Sequence, residues 1–197
     1  RIKTKLYDIY DASLLFSNLK IQTSKMNILT KNFDTPFQTP PFEHIKNEDY
    51  LPAFKELIIQ SEKEIDEIVN NPEEATFENT IEALAYSGEK LDVVSNIFFN
   101  INSAETNDEI QKIAQEVSPL LTEFSSKISQ NEALFNRIKK VFESQSNYSL
   151  NEEQEMLLNE TYKGFVRSGA LLNEEDKKKL EKINIDLSMK SLQFGQN

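Results

Sequence analysis

Residues 76–102, TFENTIEALAYSGEKLDVVSNIFFNIN, limit the possible folds more than any other stretch of this chain. Phe77, Ile81, Leu84, Gly88, Leu91, Ser95 and Phe98 recur at alternating steps of four and three, which places all seven on one stripe of an α-helix. The spacing predicts a single helix through the stretch, buried along that stripe. Gly88 and Ser95 are small, so a neighbouring helix is expected to come close there while Phe77, Leu84 and Phe98 fill the space between.

The same periodicity runs through most of the chain. A helix over 47–69 would bury Phe54, Leu57, Ile58, Ile65, Ile68 and Val69, with Pro52 near its first turn and Asn70-Asn71-Pro72 ending it. Thr76 reads as the N-cap of the next helix. Thr106-Asn107-Asp108-Glu109 reads as a capping box before Ile110, Ile113, Val117, Leu120, Leu121, Phe124 and Ile128. Pro119 predicts a kink there, or a break with Ser118 capping a second segment. Asn131 should cap a shorter helix carrying Leu134, Phe135, Ile138, Val141 and Phe142. Ser149-Leu150-Asn151-Glu152 reads as a capping box for one through Met156, Leu157, Tyr162, Phe165 and Val166, with Gly169 as its stop. The last helix, opening on Glu174, Glu175 and Asp176, would bury Leu180, Ile183, Leu187 and Phe194. The segments share no repeat length, so the expectation is an all-α, irregular domain of six to seven helices and not a solenoid.

Charge excludes several partners. The formal net charge is -11, which repels nucleic-acid phosphates and anionic lipid surfaces, so neither nucleic acid nor membrane is an expected partner. No apolar run nears the roughly 20 residues needed to span a bilayer. The absence of cysteine leaves no disulfide and no thiolate metal site, and suits the cytoplasm.

The first residues differ from the rest. Before Met26, Arg1, Lys3, Lys5, Lys20 and Lys25 face only Asp8 and Asp11, a local +3, which leaves -14 for the remainder. Residues 1–30 are therefore set apart as a leader or upstream read-through, and 31–197 as the helical region. A signal peptide fits poorly, because Asp8 and Asp11 interrupt the apolar run and no small-x-small site follows. The proline-bearing residues 27–42 predict an irregular arm, with Phe33, Phe37 and Phe42 strapping it across the helical body.

Chemistry is scarce. The one histidine, His44, precedes Glu48 by four residues, a spacing that can bind a metal on a helix, yet no second His or Cys completes a shell. The acidic runs at 62–67 and 152–155 fit solvated helix faces better than paired catalytic carboxylates. No glycine-rich phosphate loop is present, and no serine has a histidine available to activate it. No catalytic, cofactor-binding or metal-binding residue is assigned.

Four motifs carry a family resemblance. TPF-x-TPPF-x-x-I-K-x-E-x-Y-x-PAF (35–54), NNPE-x-x-TFENTIEAL (70–84), FFN-x-NSAETNDE-x-Q-x-IA-x-E (98–116) and FVRSGA-x-L (165–172) resemble the amino-terminal half of the thimet oligopeptidase family. Within it they are most similar to the peptidyl-dipeptidases, or dipeptidyl carboxypeptidases, and then to oligopeptidase A. Phe124, where relatives would carry histidine, and Asp49 before Tyr50 depart from the pattern. The resemblance implies a helical, clam-like, neurolysin-like zinc peptidase whose two halves enclose a channel for short peptides. Its zinc would be held by an H-E-x-x-H helix and a later Glu in the carboxy-terminal half.

This chain reaches Phe194-Gly195-Gln196-Asn197 before any such motif. The resemblance thus implies a channel wall, inactive alone and binding no zinc itself, whose partners are short peptides and the missing catalytic half. The other reading is a non-catalytic peptide- or protein-binding module from a truncated paralogue.

Overall fold

A computed structural model describes residues 27–195, which form helices and short 3-10 turns with no strand among them. Residues 1–26, most of the segment set apart as a leader, lie outside the described residues. Seven helical elements follow in order. They are α1 (Asn47–Val69), α2 (Phe77–Glu82 continued by Ala83–Tyr86), α3 (Glu89–Ala104), α4 (Asp108–Ser129), α5 (Glu132–Glu143), α6 (Glu152–Arg167) and α7 (Glu174–Gly195). The all-α class and the helix number agree with the sequence reading.

The first helix, α1, has the bounds its periodicity predicts, and it threads two cores. Tyr50, Ala53, Phe54 and Leu57 from its first half pack with Leu91, Val94 and Phe98 of α3 and Ile110, Ala114 and Val117 of α4. Ile65 and Ile68 from its second half pack with Phe77 and Ile81 of α2, Leu134 and Ile138 of α5 and Leu158 of α6. Burying such side chains stabilises by about 1.5–3 kcal/mol each. Phe98 is fully buried, with its ring 4.9 Å from Tyr50, 5.5 Å from Phe54 and 5.2 Å from Phe99.

Burial of Tyr50 has a pH consequence. Removal from water, with Asp49 adding to it, pushes the phenol above its ordinary value. The folded state then holds a proton that the unfolded chain releases near pH 10. The contribution to stability is whole below that pH and is lost as pH rises through the folded value. Tyr50→Phe is expected to flatten the alkaline limb of a denaturation midpoint plotted against pH. Parallel limbs for the two proteins would remove Tyr50 as the cause.

The stretch 76–102 is not one helix. Its stripe is buried at Phe77, Ile81, Leu91 and Phe98, but the backbone breaks between α2 and α3. Thr76 caps α2 as expected, accepting from the Asn79 N–H at 3.2 Å while Asn79 Oδ1 accepts from the Thr76 N–H at 2.9 Å. The first turns of α2 are wide, with the Ala83 N–H donating five residues back to the Glu78 carbonyl. Ser87 then closes the end of α2, and Gly88 takes a φ of 75° that favours glycine. The Gly88 N–H donates to Glu64 Oε2 on α1 at 2.8 Å. A Cβ on Gly88 would sit 3.5 Å from Ser61 Oγ, so α1 does come close there, at a turn and not along a continuous helix.

Other expectations shift by a turn or a face. Asn107, not Thr106, caps α4 by accepting from the Ile110 N–H at 3.0 Å. Pro119 lies inside α4 without splitting it, and Ser118 caps nothing; its carbonyl accepts the Thr122 hydroxyl at 2.8 Å. Asn131 caps α5 as expected. The box before α6 is Asn151 with Gln154, two residues later than read, and α6 buries Leu158 and Phe165 while Met156 and Leu157 face water.

The arm engages the body from its first residues. Leu29 is fully buried, and Asn27 Nδ2 donates to the Asp49 carbonyl at 2.7 Å. Lys90 of α3 holds the arm by donating to the Lys31 carbonyl and by standing 4.6 Å over the Phe33 ring. Burial holds that ammonium below its ordinary value, partly offset by Glu89. Of the three phenylalanines expected to strap the arm down, only Phe33 is buried; Phe37 and Phe42 point outwards.

Candidate functional site

The surface that departs most from the sequence reading is α7. Its course is set by the end of α6, where the Ala170 N–H donates to the Phe165 carbonyl at 3.0 Å and the Gly169 N–H to the Val166 carbonyl at 3.2 Å. This is a Schellman turn, with Gly169 at a φ of 93°. Asn173 then accepts from the Asp176 N–H at 3.0 Å and starts α7, which lies along α4.

The side of α7 that faces the body is mixed in character. Lys177 is buried, and Leu180, Glu181, Asn184, Ile185, Ser188, Met189 and Leu192 are half-buried. Ile183 and Leu187 are each 60% exposed and Phe194 is 83% exposed. These are three of the four residues expected to be buried, so that expectation is overturned. An apolar stripe at helical spacing records that a face is to be covered; it does not record by what.

Beside this face a groove of about 530 Å³ runs between α1, α4 and α7, lined by Ile58, Leu120, Phe124, Gln130 and Lys177 among others. Lys127 spans it to Glu62 at 2.7 Å, and Lys177 pairs with Glu174 at 3.1 Å. The groove is lined by no histidine or cysteine. Sequence reasoning missed it because no local signal links residues 58, 124 and 177, which meet only through the packing of three helices.

The weighed metal site does not assemble. His44 lies in the 3-10 turn Phe42–His44, two residues before the Lys46 cap of α1, so His44 and Glu48 do not share a helix face. Glu48 pairs with Lys46 at 3.4 Å instead. Among the described residues no three of His, Cys, Asp and Glu gather as a metal would require. The donors present therefore do not fit the zinc that the family resemblance implies. The acidic run on α1 is otherwise engaged, Glu62 with Lys127 and Glu64 with the Gly88 N–H.

Residues 54–177 match the N-terminal domain of the neurolysin/thimet oligopeptidase family. The chain is 38% identical over 161 residues to the dipeptidyl carboxypeptidase of Salmonella typhimurium, covering 82% of this chain and 24% of that protein. It is 36% identical over 171 residues to the dipeptidyl carboxypeptidase of Escherichia coli, covering 87% and 25%. Oligopeptidase A of Salmonella typhimurium is 25% identical over 169 residues, covering 86% and 25%. The chain thus spans about a quarter of the length of these relatives. With more than half of its residues inside the matched domain, the chain belongs to the neurolysin/thimet oligopeptidase family and corresponds to its N-terminal region.

Proposed function

We propose that this chain forms one wall of the substrate channel of a cytoplasmic zinc peptidase that releases C-terminal dipeptides from short peptides. The observation that carries the wall role is the outward apolar stripe of α7, where Ile183, Leu187 and Phe194 are exposed. A helix so oriented is built to be covered from outside. Similarity to two proteins named dipeptidyl carboxypeptidase supports the reaction class. The zinc and its ligands belong, on this reading, to sequence beyond Asn197. The lack of cysteine supports the cytoplasmic placement, which recovery of the protein from the periplasm or the medium would overturn.

Two tests follow. Adjoining coding sequence is expected to hold an in-frame H-E-x-x-H, and a stop codon directly after Asn197 would overturn the peptidase reading in favour of a binding module. The isolated chain is expected to hydrolyse no peptide and to bind no stoichiometric zinc; metal analysis giving one zinc per chain would contradict this.

The outward face also dictates solution behaviour. Exposed apolar patches beyond a few hundred Å² are rare on stable monomers, so the isolated chain is expected to self-associate and to bind a hydrophobic dye. Ile183→Lys together with Leu187→Lys should restore a monomer and cut dye fluorescence several-fold, with little change in melting temperature. A dye-silent monomer without those changes would count against the wall reading.

A further inference from the structure

The arm carries a feature that neither the two cores nor the outward face of α7 accounts for. At its turn, Pro36–Gln38, Phe37 has a φ of 59° and Gln38 a φ of 54°. These are the two non-glycine residues with positive φ among the described residues. A bulky L residue is strained in that region, and strain of this kind persists only where the surroundings impose it. Here they do. Thr35 Oγ1 donates to the Thr39 carbonyl at 2.5 Å, Thr39 Oγ1 to the Pro36 carbonyl at 3.1 Å, and the Gln38 N–H to the Thr35 carbonyl at 2.9 Å. Pro36, Pro40 and Pro41 fix the flanking backbone. The base of the turn is tied to α3 through buried Phe33 and Lys90. The side chain so held is 98% exposed and recovers nothing for its strain within the described residues.

We infer that Phe37 is the tip of a rigid docking finger, whose ring enters an apolar pocket on the part of a full-length family protein that lies beyond this chain. The inference rests on the wall reading. Its occupant follows from length, because the match to this chain covers 24% of the Salmonella dipeptidyl carboxypeptidase, and in a full-length family protein most of the surface available to the finger lies in the other three quarters. A pre-set aromatic anchor loses little conformational freedom on docking, which is why such residues dominate interfaces.

The test uses the absence of cysteine from this chain. Phe37→Cys is made in the isolated chain and in a hybrid that joins this chain to the remaining three quarters of the Salmonella dipeptidyl carboxypeptidase, and the rate of thiol modification is measured in both. Leu187→Cys is the companion probe on α7. The Phe37→Cys thiol is expected to react freely in the isolated chain and at least about tenfold more slowly in the hybrid, an occlusion typical of a fully desolvated anchor. Slow reaction in the hybrid at Leu187→Cys but free reaction at Phe37→Cys overturns the finger and leaves the wall reading standing. Free reaction at both overturns both. Protection in the isolated chain that grows with concentration also overturns it, because the pocket would then lie on a second copy.

An independent measurement needs no hybrid. Asn tolerates the left-handed region, so Phe37→Asn is expected to raise the melting temperature of the isolated chain, by about 2 °C for a chain of this size. A fall would mean that the chain itself needs the ring, and would overturn the inference.

Discussion

Phe98→Ala is expected to lower folding stability by about 4 kcal/mol, a large share of the 5–15 kcal/mol that holds a typical domain together. The reason is position as much as size. Phe98 is fully buried, and the rings of Tyr50, Phe54 and Phe99 all lie within 5.5 Å of its own. Truncation removes apolar surface and leaves a void that three rings from α1 and α3 cannot all move to fill. Urea unfolding followed by circular dichroism measures it. A loss under about 1.5 kcal/mol would mean that the first core collapses around the gap and is packed more loosely than described.

Gly169→Ala is expected to cost roughly 2 kcal/mol or more, from left-handed strain and from contact. A Cβ at that position would meet Leu180 Cδ2 at 2.7 Å and Leu172 Cδ1 at 2.9 Å, closer than van der Waals contact allows. Either the Leu180 and Leu172 side chains shift away or the turn opens, and the left-handed φ strains alanine in both cases. Gly164→Ala is the matched control. It lies inside α6 with nothing within 4 Å of the added carbon, so helix propensity alone predicts a gain of up to about 1 kcal/mol. Opposite signs in thermal melts are the expected result; equal effects would remove the special role of the Gly169 turn.

What the sequence revealed of the fold follows from what periodicity can encode. The bounds of α1, the caps at Thr76 and Asn131 and the stop at Gly169 were legible because each is a local rule satisfied by nearby residues. The break at Gly88 was hidden because the apolar stripe continues across it, while the hydrogen bond from Gly88 to Glu64 depends on a residue 24 positions away. The orientation of α7 was hidden for a related reason. Ile183, Leu187 and Phe194 look like any buried stripe, and only contact with α4 reveals that a different face was used inwards. Family membership was legible from motif order. A catalytic site was not, because His44 is the sole histidine and its turn keeps it off the helix that would pair it with Glu48.

The continuous run of α1 through both cores has a mechanical meaning. At 23 residues and about 1.5 Å per residue, it is a shaft of roughly 35 Å gripped at both ends by different neighbours. Loosening either grip frees the same rod, so amides midway along it should exchange with deuterium only when the whole body opens, whichever end was weakened first.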